Sequence, residues 1–154
     1  MPLNDLIRTD AILPHLQAST KKQALQEMSD LAGRVSGLPA REIFDVLLQR
    51  ERLGSTGVGN GIAIPHGKLA KAKQIFAVFA RLDKPIQFDA LDGAPVDLIF
   101  MLIAPESAGA DHLKALSRIA RVLRDTSITE KLRAARDAAA IYAMMTQMPT
   151  SNAA

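Results

Sequence analysis

One histidine in this chain is mounted as a reactive group would be. His66 stands between Pro65 and Gly67, at the end of the stretch GSTGVGNGIAIPHGK that runs from Gly54 to Lys68. Imidazole is neutral and nucleophilic near its reference pKa of about 6.5. One ring nitrogen can attack while the other keeps its proton in a hydrogen bond, which suits a reversible bond to phosphorus. Pro65 fixes its own φ and removes a donor, so a central strand should not run through it. Gly67 lets the chain turn away without crowding the ring. Ahead of the histidine, Ser55 and Thr56 offer hydroxyls and backbone N–H groups that can cradle a phosphate, although turn chemistry alone also accounts for them.

Other charged and titratable residues fall within reach of this arrangement in sequence. His112 opens a predicted helix, where backbone N–H groups attract anions. Arg50 and Arg52 end another helix just before the glycine loop; a guanidinium there can fork onto phosphate oxygens, and the sequence alone does not choose between the two. Lys68 adds charge at the rim of the site or is simply solvated. His15, between Pro14 and Leu16, has no comparable context and is expected in a loop.

Competing chemistries fail on spacing. A phosphate-binding Walker A loop has four residues between its glycines and a Ser or Thr after the lysine. Here Gly61 and Gly67 enclose five, and Leu69 follows Lys68. A dinucleotide fingerprint begun at Gly57 and Gly59 needs a glycine where Ile62 stands. A Ser55–His66 hydrolytic dyad lacks the nucleophile elbow. No His, Asp and Glu cluster has metal-ligand spacing.

The elements that position these residues can be read from periodicity. Ser19 to Val35 predicts an amphipathic helix capped by Ser19 or Thr20, with Leu25, Met28, Leu31, Ala32 and Val35 inward. Gly37 and Pro39 separate it from a second helix, Ala40 to Arg52, burying Ile43, Val46 and Leu47. Strands are expected at Ile62–Ile64, Ile75–Leu82 and Val96–Ile103, the last nearly all apolar and central. Lys84-Pro85 and Asp92-Gly93 read as turns around a short Ile86–Phe88 segment. Ala110 to Arg124 predicts a helix burying Leu113, Leu116, Ile119, Ala120 and Leu123, followed by one from Ile128 to Met148. The loose alternation of helices and strands gives the expected fold class: α/β, one three-layer α/β/α domain with a mixed sheet and helices on both faces. The tail 149–154 is expected to fray.

Composition narrows the function. The chain has 154 residues and 48% hydrophobic content, enough for one full core. A net charge of +3 with 4% aromatic residues and no dense basic run argues against nucleic-acid binding and for an acidic or phosphorylated protein partner. There is no cysteine, hence no disulfide or thiolate site. The start has no signal-peptide pattern, and the longest apolar run, Val96 to Pro105, is far short of the roughly 20 residues a bilayer requires. A cytoplasmic protein without membrane insertion is expected.

The stretch from Gly54 to Lys68, together with Pro85-Ile86-Gln87-Phe88-Asp89 and Pro95-Val96-Asp97-Leu98-Ile99-Phe100, resembles the active-site signature of IIA proteins of the bacterial phosphotransferase system. The likeness is to the fructose/mannitol class, nearest its nitrogen-regulatory branch, and covers about Leu3 to Met148. It implies that His66 accepts a phosphoryl group from a phosphorylated HPr-like carrier. It also implies that the histidine at position 112 helps hold that group, and that Arg50 rather than Arg52 points into the site. No cofactor and no metal is implied. Two roles follow from the resemblance: a regulator whose phosphorylation state sets binding to other proteins, or an energy-coupling component passing phosphate to a IIB domain. A stand-alone IIA unit is expected, since the chain supplies neither a IIB cysteine nor a membrane span.

Overall fold

The computed structural model describes residues 3–146. Their strands are β1 (Ile12–Leu16), β2 (Gly57–Gly59), β3 (Ile62–Ala63), β4 (His66–Leu69), β5 (Phe76–Ile86) and β6 (Val96–Pro105). Their helices are α1 (Lys21–Ser36), α2 (Ala40–Arg52), α3 (Ala110–Arg124), α4 (Thr126–Ala134) and α5 (Ala138–Thr146), with short 3₁₀ turns at Leu3–Asp5 and Thr9–Ala11. None of these helices is long and apolar enough to cross a membrane.

The sheet order is β1-β5-β6-β3-β2, with β4 also paired to β6. β5 and β6 are antiparallel, whereas β1 runs parallel to β5 and both β3 and β4 run parallel to β6. The sheet is therefore mixed. Successive strand residues face opposite sides of a sheet. Ala77 through Leu82 of β5 and Leu98 through Ala104 of β6 are buried without alternation, so helices cover both faces. α1 and α2 pack together against β5 and β4, while α3, α4 and α5 form a second group against β6 and β1. Phe79 and Phe100 meet edge to face in the middle, their centroids 5.7 Å apart.

The helix ends follow their caps. The Thr20 hydroxyl accepts from the Gln23 N–H at 3.1 Å, and Gln23 reaches back to the Ser19 N–H at 2.8 Å. Gly37, at φ 79°, closes α1 with its N–H on the Gly33 carbonyl.

Several expectations need correction. His15 lies in β1, an edge strand whose pairing with β5 shifts register between Leu13 and Leu16, around Pro14. The Lys84-Pro85 pair does not turn the chain; β5 continues through it to Ile86, and the pairing with β6 shifts register between Arg81 and Ile86. The expected final helix is two, α4 and α5, broken at 135–137 where Ala135 is extended at φ −72°, ψ 136°. Gln147, Met148 and the tail 149–154 lie outside the described residues.

The glycine stretch holds a hairpin, β2 to β3, turned at Asn60-Gly61 with φ values of 57° and 79°. Both central residues at positive φ is the geometry that matches a hairpin's twist. Arg133 of α4 grips the turn: its guanidinium forks onto Asp97 at 2.9–3.0 Å and donates to the Asn60 carbonyl at 2.6 Å. A Cβ on Gly61 would stand 2.5 Å from Arg133 Nη2 and 2.9 Å from Asp97 Oδ1. Gly61→Ala is expected to cost about 1–3 kcal/mol from left-handed strain alone, read as a lowered Tm in thermal unfolding.

Candidate functional site

His66 opens β4 at a break in the sheet. β3 pairs with β6 at Leu98 and Ile99, and β4 pairs with the same strand at Leu102 to Pro105, so the two short strands lie end to end. Between them Ile64 and Pro65 leave the ladder, as a proline without a donor requires. The Pro65 carbonyl still accepts from the Leu102 N–H at 2.9 Å, which pins the break. The histidine thus begins a strand after the break. Gly67 serves a different end from the one its type suggested. It sits within β4, and a Cβ there would meet Val46 Cγ2 at 3.0 Å, so its bareness lets α2 pack close beside His66.

The ring orientation is fixed from below. Nδ1 of His66 is 2.8 Å from the Ile64 carbonyl oxygen, which can only accept. Nδ1 therefore carries the proton, and Nε2 is left with its lone pair free. Burial holds the His66 pKa below its ordinary 6.5; the bond to Ile64 opposes this, the Arg50 charge lowers it further and Glu51 offsets part of that. At pH 7 the ring is neutral and nucleophilic.

His112 and His66 come together, with ring centroids 5.7 Å apart and planes at 61°. His112 is only 7% exposed, and its Nε2 is buried with no hydrogen-bond partner among the described residues. Burial, then the charges of His66 and Lys68, lower its pKa as well. Of the expected inward face of α3, Ile119 and Leu123 are buried and Leu116 and Ala120 half-buried, but Leu113 is 66% exposed, and His112, Ala115 and Val122 are buried beside them. The first N–H groups of α3 are not idle, since those of Asp111 and His112 return to the Ala108 and Gly109 carbonyls. What this helix start brings to the site is chiefly the imidazole itself.

Two lowered histidines give a signed prediction. The unfolded chain takes up protons on them near pH 6.5, before the folded chain does. Their contribution to stability is therefore complete above 6.5 and is lost as pH falls through the lower folded values. NMR titration of ring resonances is expected to give midpoints below 6.5 for both, and denaturant midpoints should fall in the same interval.

Of the two arginines, Arg50 is the one in electrostatic contact with His66, and its Nη1 donates to the Gly54 carbonyl at 2.9 Å. Four of its five N–H donors remain for an anion. Arg52 is exposed, and so is Lys68. Ser55 and Thr56 turn their hydroxyls into the protein. Ser55 Oγ donates to the Phe88 carbonyl at 2.7 Å and accepts from the Gly57 N–H at 3.0 Å. Thr56 gives its hydroxyl to Glu51 Oε2 and its N–H to Oε1 at 3.2 Å. Both brace the glycine loop, so their hydroxyl protons are already committed.

Sequence reading missed the support beneath this loop. Glu51 has a 4% exposed side chain, paired to Lys21 Nζ at 2.7 Å, and that ammonium lies 4.8 Å from the centre of the Phe88 ring. A carboxylate next to Arg50 at a helix end reads as surface charge, and nothing local signals its burial. His15, far from the site, bonds Asp83 Oδ1 at 3.1 Å and the Arg136 carbonyl at 2.7 Å.

Comparison with known proteins supplies the chain's relatives. The chain is 59% identical over 153 residues to a nitrogen regulatory protein of Bradyrhizobium diazoefficiens, covering 99% of this chain and all of that one. It is 40% identical to one from Escherichia coli, covering 95% and 90%. The crystal structure of nitrogen regulatory protein IIA-Ntr from Neisseria meningitidis superposes with a TM-score of 0.87 at 39% identity, over 92% of this chain and 97% of that one. IIA mannitol from Escherichia coli shares the fold at a TM-score of 0.75 and 20% identity, over 90% and 97%. Residues 5–148 match the family described as phosphoenolpyruvate-dependent sugar phosphotransferase system, EIIA 2, and the chain belongs to that family.

Proposed function

We propose that this protein is a cytoplasmic histidine phosphocarrier of the nitrogen-regulatory branch. His66 takes a phosphoryl group from a phosphorylated HPr-like carrier, and its phosphorylation state regulates partner proteins. The observation that carries this is the free Nε2 of a neutral ring whose Nδ1 is held by the Ile64 carbonyl. In the transfer, Nε2 attacks phosphorus as the P–N bond to the carrier's histidine breaks, so one P–N bond replaces another and no metal is called for. Arg50 and His112 flank the acceptor and offer N–H donors to the phosphoryl oxygens, where charge accumulates during transfer. Ser55 and Thr56 contribute by holding the loop, with backbone N–H groups as their remaining means of touching the anion.

The regulatory branch rests on the relatives at 39–59% identity that bear the nitrogen-regulatory name. The alternative, onward transfer to a IIB domain, draws on a fructose-specific EIIA component that is 42% identical over 117 residues. Mixing the phosphorylated protein with purified fructose- and mannitol-type IIB domains separates the two. The regulatory role predicts that label stays on this chain; rapid loss to a IIB domain overturns it.

Phosphorylation is expected to act locally. The group adds about two negative charges at pH 7 by analogy with other phosphorylated side chains, beside Arg50 and the His112 imidazole. Backbone NMR shifts should move in residues 54–68 and 108–114 and near Arg50, while α5 stays unchanged. Large shifts in α5 contradict a purely electrostatic switch and require a conformational one.

A further inference from the structure

A second cavity lies apart from His66. The N-terminal segment, the C-terminal end of α1 and the connector between β4 and β5 enclose about 550 Å³. Its walls divide by chemistry. Leu6, Val35, Leu38 and Phe76 present apolar surface, the last three only half-buried. Arg8, Lys71 and Lys73 stand around it, and among the described residues no acidic side chain lines it. Small-molecule sites are typically concave, mostly apolar and about 300–1,000 Å³, with a few charged groups fixing orientation.

The charges select the ligand. Arg8 pairs with Asp10 at 2.6 Å and Lys71 with Glu42 at 2.9 Å, both in the open. Among the described residues no ion pair engages Lys73, so one positive charge is left over. Glu42 lies in the first turn of α2 and Arg50 in its last, eight residues (50 − 42) or about 12 Å along the axis. The cavity is therefore separate from the phosphoryl site and does not depend on how that site is read.

We propose that this cavity binds an organic monoanion, a carboxylate carried on an apolar chain of medium length. The carboxylate sits at Lys73, with Arg8 and Lys71 able to swing from their exposed partners at little cost, since solvent-exposed ion pairs are weak. The chain lies along Leu6, Val35, Leu38 and Phe76, covering apolar surface that otherwise faces water. A bare inorganic anion gains nothing from those walls, and an apolar molecule without charge leaves Lys73 unanswered.

Octanoate is the probe, with octylammonium as its oppositely charged control, in an amide NMR titration of the full chain. Octanoate is expected to shift residues 6–11, 35–38 and 71–77 saturably, and octylammonium is not. Lys73→Glu, at an exposed position, should weaken octanoate at least about fivefold through reversal of the local charge. Leu38→Glu should abolish it, and a native-like spectrum for each variant shows that the fold is intact. Shifts that rise linearly without saturating, equal binding of octylammonium, or unchanged affinity in Lys73→Glu would each overturn the proposal. Saturable shifts confined to residues around His66 would do the same.

Discussion

His66→Ala is expected to abolish phosphorylation by a phosphorylated HPr-like carrier, the largest effect any single side chain in this protein should have. The wild-type chain should gain one acid-labile, base-stable phosphate, and the variant none. The reason is positional. His112 presents a buried, unpartnered Nε2 in the same pocket, yet it lies in the first turn of α3 at 7% exposure, whereas His66 is half-buried at the mouth. His15 lies in an edge strand, its ring nitrogens set against Asp83 Oδ1 and the Arg136 carbonyl. The core barely feels the change, because His66 packs at a break in the sheet, so folding should survive and circular dichroism should be unaltered. Label retained in His66→Ala, or mapped to a serine, removes the histidine from its role.

The second large effect concerns the groups around it. Arg50→Ala and His112→Ala are each expected to slow phosphoryl transfer by roughly one to two decades, the loss of one charge-assisted contact of about 1.5–3 kcal/mol. Both variants should still be labelled to completion. Arg50 also holds the Gly54 carbonyl, so a loosened glycine loop is an alternative cause of slowing. The His66 titration distinguishes them. Arg50 lowers the His66 pKa through its charge, so Arg50→Ala should raise the midpoint while Arg50→Lys leaves it nearly unchanged. If Arg50→Lys restores the midpoint but not the rate, the planar fork matters as well as the charge. Normal rates in both alanine variants place Arg50 and His112 outside the chemistry.

What the sequence disclosed and what it hid follow from range. The 3.6-residue periodicity of α1 and the apolar run of β6 are local signals, and both elements appear where expected. Pro65 likewise marks a break by its own chemistry, but β4, which begins at His66 and runs through Gly67 in place of the expected turn, is not signalled there. β1 and β2 escaped notice because a proline and two glycines disguise strands that sit at the two edges of the sheet. Asn60-Gly61 did carry a hairpin signal, hidden among the neighbouring glycines. The inward turn of His112 in place of Leu113 is set by what α3 packs against, and the burial of Glu51 by Lys21, thirty positions away (51 − 21). Such pairings belong to the tertiary structure, and no window along the chain contains them.

We propose Nε2 of His66 as the nucleophile because Nδ1 is bound to the Ile64 carbonyl. A long-range proton–nitrogen NMR spectrum of the phosphorylated protein, with phosphorus coupling resolved, identifies the nitrogen bonded to phosphorus. Phosphorus on Nε2 of His66, with Nδ1 still protonated, is the predicted result. Phosphorus on Nδ1, or on either nitrogen of His112, rules out Nε2 of His66 as the nucleophile.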